Sequence, residues 1–180
     1  MSIKRSVPSQ HLRISITSQT LELFELEPGW SRDRWADDLP KPALRYEVST
    51  AKNGPGNELG SYCTPVGRHV IRAKIGRGAA FGTVFTRRRP TGEIWSKELA
   101  EGGPGRDWIL TRILWLCGLE PGRNRFGSVD TMKRYIYLHG SPPTAQMGIP
   151  GSIGCIRMRN QDIVDLFDRV PAGTTVDIRA

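Results

Sequence analysis

Apolar residues in this chain recur mostly at every second position, and that period suits strands, whose successive side chains point to opposite faces. Leu12, Ile14 and Ile16 share one face, and Leu21 and Leu23 follow a turn at 17–20, which predicts an N-terminal hairpin. His69, Ile71, Ala73 and Ile75 alternate with Val70, Arg72 and Lys74 in a further strand. The apolar run 109–116 fits either period. Its length and the glycines around it favour a strand, paired with 135–138 across the 120–129 loop. Residues 25–42, with Trp30 and Trp35, have no clean period and read as loop; 51–57 reads as a long turn. Only 162–170 is spaced as a helix, with Ile163, Leu166, Phe167 and Val170 on one face, Asn160 as candidate N-cap, and Pro171 and Gly173 ending it. The expected class is mainly β with one late α-helix.

The stretch 139–158, HGSPPTAQMGIPGSIGCIRM, carries the chemistry. A thiol whose proton an imidazole can take is a nucleophile and base pair, and His139 and Cys155 are the candidates. Residues 134–138 read as a buried strand delivering His139 to a strand end, where active residues concentrate. Gly154 permits a tight backbone before Cys155. A free thiol titrates near ~8.5, so attack at neutral pH needs an imidazole or positive surroundings. An isolated histidine is more often a polar strand-end residue, which is the reading of His11 and His69. Ser152 either donates to the reaction's oxyanion or braces the loop. Arg157 points to a substrate carboxylate, with a structural pair to Asp162 as its alternative. Backbone N–H groups around Gly154 and Cys155 are the natural oxyanion donors, because the loop approaches a helix start. Tyr135 and Tyr137 fit core or cleft equally.

These residues resemble a known signature. His139-Gly140-Ser141, then 152–158 (SIGCIRM), then Asn160 and Asp162 are similar to the L,D-transpeptidase (YkuD-like) catalytic domain, as are 46–50, 64–67, 170–174, Val176 and Ile178. The resemblance covers the chain from about Leu12 to Ile178. It places a catalytic domain at 12–179 behind an N-terminal extension at 1–11, and implies a β-sandwich of mostly antiparallel strands. It also implies that the Gly140 carbonyl orients the His139 ring. Two positions depart from common family patterns: Ile153 stands where many members have a second histidine, and Arg157 where one branch has asparagine. The implied activity is a cysteine-dependent L,D-transpeptidase that cross-links peptidoglycan stem peptides through a Cys155 thioester, with penems and carbapenems as possible acylating inhibitors. Water as acceptor would make it an L,D-carboxypeptidase, and a lipoprotein lysine an anchoring enzyme.

A chain of 180 residues, 38% hydrophobic, supports one core, and a monomer is expected. Lys and Arg number 26 against 18 Asp and Glu, a net charge of +8, so acidic partners are favoured. Arginine dominates the cations and suits carboxylates or phosphates. The rival reading from this charge is a non-catalytic basic module on peptidoglycan or nucleic acid. That reading has no use for a thiol and imidazole pair, and no RNA-stacking or helix-turn-helix pattern is visible, so no nucleic acid partner is expected. Cys63, Cys117 and Cys155 form no CxxC and no zinc spacing with the histidines, so neither metal nor cofactor is expected. Cys117 reads as a core packer, and Cys63 has no assigned role. No signal-peptide core follows the first basic residues and no apolar run reaches membrane length. The chain as written reads as soluble and unexported, whereas the resemblance implies the cell envelope or periplasm.

Overall fold

In the computed structural model, which describes residues 10–27, 30 and 39–180, ten strands form one sheet. In chain order they are β1 (Gln10–Ser15), β2 (Thr20–Glu25), β3 (Leu44–Glu47), β4 (Gly67–Ile75), β5 (Thr83–Thr86) and β6 (Arg89–Ile94). After helix α1 (Lys97–Gly102) follow β7 (Ile109–Gly118), β8 (Tyr137–Ser141), β9 (Ile156–Arg159), α2 (Asn160–Arg169) and β10 (Thr175–Arg179). The order is β3-β2-β1-β10-β4-β7-β5-β6, with β8 joining β7 to β9. Pairings are antiparallel except β1–β10 and β8–β9. Backbone bridges from Ser49 to Arg157 and from Ala51 to Ser152 tie the chain after β3 to the β9 edge, so the sheet curls back on itself. The expected sandwich is therefore two halves of one curled sheet.

Alternation explains the core. Leu12 and Ile14 of β1, Leu21 and Leu23 of β2, Ile71, Leu114, Leu116 and Leu138 point into one cluster with Ile163, Leu166 and Phe167 of α2. Burying each such side chain contributes about 1.5–3 kcal/mol. Asp162 in the first turn of α2 and Arg169 in the last complement its dipole. Lys74 of β4 donates to the terminal carbonyls of Phe167 and Val170, and Pro171 then stops the helix. The N-terminus of α2 departs from expectation: Arg159 is the N-cap residue and its side chain makes no capping bond, and Asn160 lies inside the helix. Its Oδ1 instead accepts from Thr111 Oγ1 at 2.7 Å.

Other differences are local. A second helix, α1, is present; it buries no residue, and Ser96 caps it by accepting from the Leu99 N–H. The first strand begins at Gln10, so Gln10 and His11 belong to the sheet. His11 and His69 are wholly buried rather than polar strand ends. His11 Nδ1 meets Thr175 Oγ1 at 2.7 Å, and His69 bridges Gly67 O and Thr131 Oγ1. Burial lowers both to about 4. Cys117 is only half-buried, and its burial raises the thiol. Most of the 25–42 loop, Trp35 included, and residues 1–9 lie outside the described residues. No helix among the described residues is long and apolar enough to cross a membrane.

Candidate active site

β8 organises the site through its pleat. Leu138, and Ile136 just before the strand, face the main core, while Tyr137 packs on the opposite side with Ile113, Phe85 and Cys155. His139, two residues past Tyr137, shares that second face. It lies mid-strand, not at a strand end, because 131–135 forms a turn and β8 starts only at Tyr137. In the parallel β8–β9 register Leu138 opposes Ile156 and His139 opposes Arg157, which sets Cys155 beside the start of β8. Cys155 Sγ accepts from the Tyr137 N–H at 3.3 Å and reaches Tyr135 O at 3.4 Å.

The His139 ring is wholly buried, and its Nδ1–H donates to Gly140 O at 2.8 Å. A carbonyl only accepts, so the proton sits on Nδ1 and the Nε2 lone pair is free. Nε2 is buried with no hydrogen-bond partner. Burial holds the imidazole below its ordinary value, against the Gly140 bond that favours its charged form. Burial also pushes the Cys155 thiol up to about 12, against the Tyr137 N–H and the charges of Arg157 and Arg134. Both shifts favour the neutral thiol and neutral imidazole over thiolate and imidazolium. Helix α2 opens beyond Cys155 as expected, at Asn160, but the four residues of β9 separate its start from Cys155. Its dipole falls off within a turn and does little for the thiolate.

The remaining candidates separate. Ser152 Oγ accepts from the Gly154 N–H at 3.2 Å and donates to Cys155 O, so the hydroxyl braces the loop and occupies the Gly154 amide. Gly154 has φ +137, a conformation open to glycine, and its carbonyl accepts from Thr64 Oγ1. Arg157 does not pair with Asp162: Nη2 meets Asp107 Oδ1 and Nη1 meets Gly151 O, both at 2.9 Å. Asp162 pairs instead with Arg159. Sequence reasoning missed Asp107, fifty residues from Arg157, and also Arg134, whose guanidinium holds Gly56 O, Asn57 O and Cys63 O beside the site. Only Thr64 carried a signal, inside 64–67. Among the described residues no cluster of His, Cys, Asp or Glu is placed to hold a metal ion.

Gly140 has no room for a side chain. A Cβ there would lie 2.2 Å from Asn160 Oδ1 and 2.7 Å from Leu110 O. Opposite it β7 bulges: Leu110 pairs with Gly140 and Ile113 with His139, leaving Thr111 and Arg112 between them, Thr111 at φ +71. Bulges of this kind re-aim groups beside active sites. Gly140→Ala should cost about 2–3 kcal/mol through overpacking against backbone that cannot yield, or about 5–10 °C in melting temperature at this chain length. Calorimetry checks it; an unchanged melting temperature would mean that β7 and α2 give way freely.

Cys155 opens into a cleft of about 860 Å³. Tyr135, Tyr137, Ile153, Arg88 and Asp107 help line it; Tyr135 is an exposed cleft residue, whereas Tyr137 is buried in the smaller core and borders the cleft from there. Comparison with known proteins agrees with this architecture. The model of the YkuD family, the L,D-transpeptidase catalytic domain, matches residues 10–178, and the chain belongs to that family. It is 31% identical over 102 residues to the putative L,D-transpeptidase YkuD of Bacillus subtilis, covering 55% of this chain and 49% of that protein. It is 49% identical over 45 residues to the probable L,D-transpeptidase ErfK/SrfK of Salmonella typhimurium, 25% of this chain and 15% of that one. The chain thus spans about half the length of the Bacillus relative and less of the other. In fold it is similar to L,D-transpeptidase 3 from Mycobacterium tuberculosis, solved with a faropenem-derived adduct, at a TM-score of 0.52 and 16% identity, covering 96% of this chain and 61% of that one. Bd1075 from Bdellovibrio bacteriovorus gives a TM-score of 0.57 at 14% identity, with 99% and 50% covered.

Proposed function

We propose that the chain is a thiol acyltransferase of peptidoglycan stem peptides, an L,D-transpeptidase working through Cys155. The observation that carries this reading is the His139 ring, fixed through Nδ1 by Gly140 O with Nε2 unpartnered, on the same face of β8 as the Cys155 thiol. Cys155 Sγ attacks the amide carbonyl after the L-centre of a stem tetrapeptide, and its proton passes to His139 Nε2. The tetrahedral oxyanion needs preorganised donors. With the Gly154 N–H engaged by Ser152, the Cys155 N–H is the donor that serves it. Collapse breaks the C–N bond, His139 returns the proton to the leaving amine, and the terminal D-residue departs from a thioester. An amine from a neighbouring stem then attacks the thioester, completing a cross-link and restoring the thiol.

Arg157 acts in this reading as a brace, holding Gly151 of the catalytic loop against Asp107. The lactams of penems and carbapenems, strained amides, acylate the same sulfur. Cell envelope or periplasm follows as the place of action, since the substrate is there. Incubation with disaccharide tetrapeptide tests the function. Release of the D-residue with a cross-linked dimer supports transpeptidation, a tripeptide alone marks the carboxypeptidase, and an unconsumed donor contradicts both.

A further inference from the structure

Two arginines form the turn of the β5–β6 hairpin. Thr86 pairs with Arg89, and the residues between them, Arg87 and Arg88, have φ of +48 and +68. Two-residue hairpin turns with both residues left-handed favour Asn-Gly, because any Cβ is crowded there. A pair of long cationic side chains in that conformation points to a role outside the turn.

Their surroundings differ. Arg88 is held in place: Nη1 donates to Tyr137 Oη at 2.9 Å, and the guanidinium stacks over Trp115 and Tyr135 at 4.5 and 4.7 Å. Arg87 is exposed and makes no ion pair or side-chain hydrogen bond among the described residues, yet both line the Cys155 cleft. Of the cleft's other charges, Arg134 is committed to backbone carbonyls and Asp107 to Arg157. The lining also includes Leu59, Tyr62 and Ile153, all more than half exposed. The cleft therefore offers apolar surface together with one cation, Arg87, whose guanidinium is not already engaged among the described residues.

Resting on the acyl-transfer reading for the identity of the ligand, we propose that Arg87 is a specificity-determining residue that pairs with a free carboxylate of the acyl-donor peptide. The β5–β6 turn holds it at the cleft, while the apolar residues cover the peptide's uncharged part. A planar guanidinium takes a carboxylate through two parallel hydrogen bonds and has little hold on a neutral amide. Arg157, bonded to Asp107 and Gly151 O, is not available for this without breaking that pair.

Calorimetric titration separates binding from chemistry. In the chain carrying Cys155→Ser, a stem tetrapeptide with free carboxylates should bind about tenfold tighter than the same peptide fully amidated. Arg87→Gln should bring that ratio within about twofold, and Arg87→Lys should leave it between the two. Arg87→Gly should abolish the preference while raising the melting temperature by about 1–3 °C, since glycine relieves the turn. A preference that survives in Arg87→Gln, or none in the parent, overturns the proposal. Failure of the acyl-transfer reading appears elsewhere, as no thioester in the chain with its thiol intact.

Discussion

Cys155→Ser is expected to lower turnover by at least about 10³-fold. Serine keeps the size of the side chain, and its hydroxyl is able to accept from the Tyr137 N–H as the sulfur does. The fold should therefore survive with an unchanged melting temperature. What is lost is the nucleophile. Burial already pushes the thiol up to about 12, and a buried hydroxyl ionises far less readily. The neutral pair also means that the proton must leave during attack, which favours the softer sulfur. Steady-state release of the D-residue measures this, and near-normal turnover would contradict covalent thiol catalysis.

His139→Ala is the second large effect, expected to slow acylation by about 10² to 10⁴-fold with little change in donor binding. The pH dependence gives the sharper reading. Burial lowers the folded-state pKa of His139, so the imidazole stays neutral, and competent as a base, below its ordinary 6.5. As pH falls, acylation should remain level from pH 8 to about 6.5 and decline only under that. Single-turnover acylation across this range checks it. A fall centred at or above 6.5 would mean that the ring is protonated more readily than its burial allows, and an unaltered profile in His139→Ala would make the residue structural.

Elements that bury one face were legible in the sequence. The β1–β2 hairpin, β4, β7 and α2 each carry an apolar face, and their periodicity followed from it. β6 did not show, because Arg-Pro-Thr-Gly-Glu-Ile lies largely exposed at the sheet edge, where proline is tolerated and alternation is not required. Helix α1 buries nothing, so its one local sign was the Ser96 cap. The limits of β8 were hidden because Tyr135 and Tyr137 alternate as strand residues do, although Tyr135 ends a turn at φ +57.

The site was legible where its chemistry is local. His139 and Gly140 are neighbours, and Ser152 and Cys155 lie three residues apart, so one stretch of chain held them all. Contacts made by the fold were not. Asp107 reaches Arg157 across fifty residues, and Arg134 closes on Cys63 O across seventy-one. Neither has a motif to announce it. Asn160 reads as a cap from its residue type, but the Thr111 hydroxyl at the β7 bulge claims its side chain. The state of the thiol was the least legible quantity, since it depends on burial by residues from several strands.

The most direct test is intact mass spectrometry of the chain after mixing with disaccharide tetrapeptide, followed by peptide mapping of the adduct. The account predicts a mass gain equal to the donor less the free D-amino acid released, lost again under hydroxylamine as a thioester is, and mapped to Cys155. An adduct on Cys63 or Cys117, or turnover with donor consumed in Cys155→Ser, would contradict it.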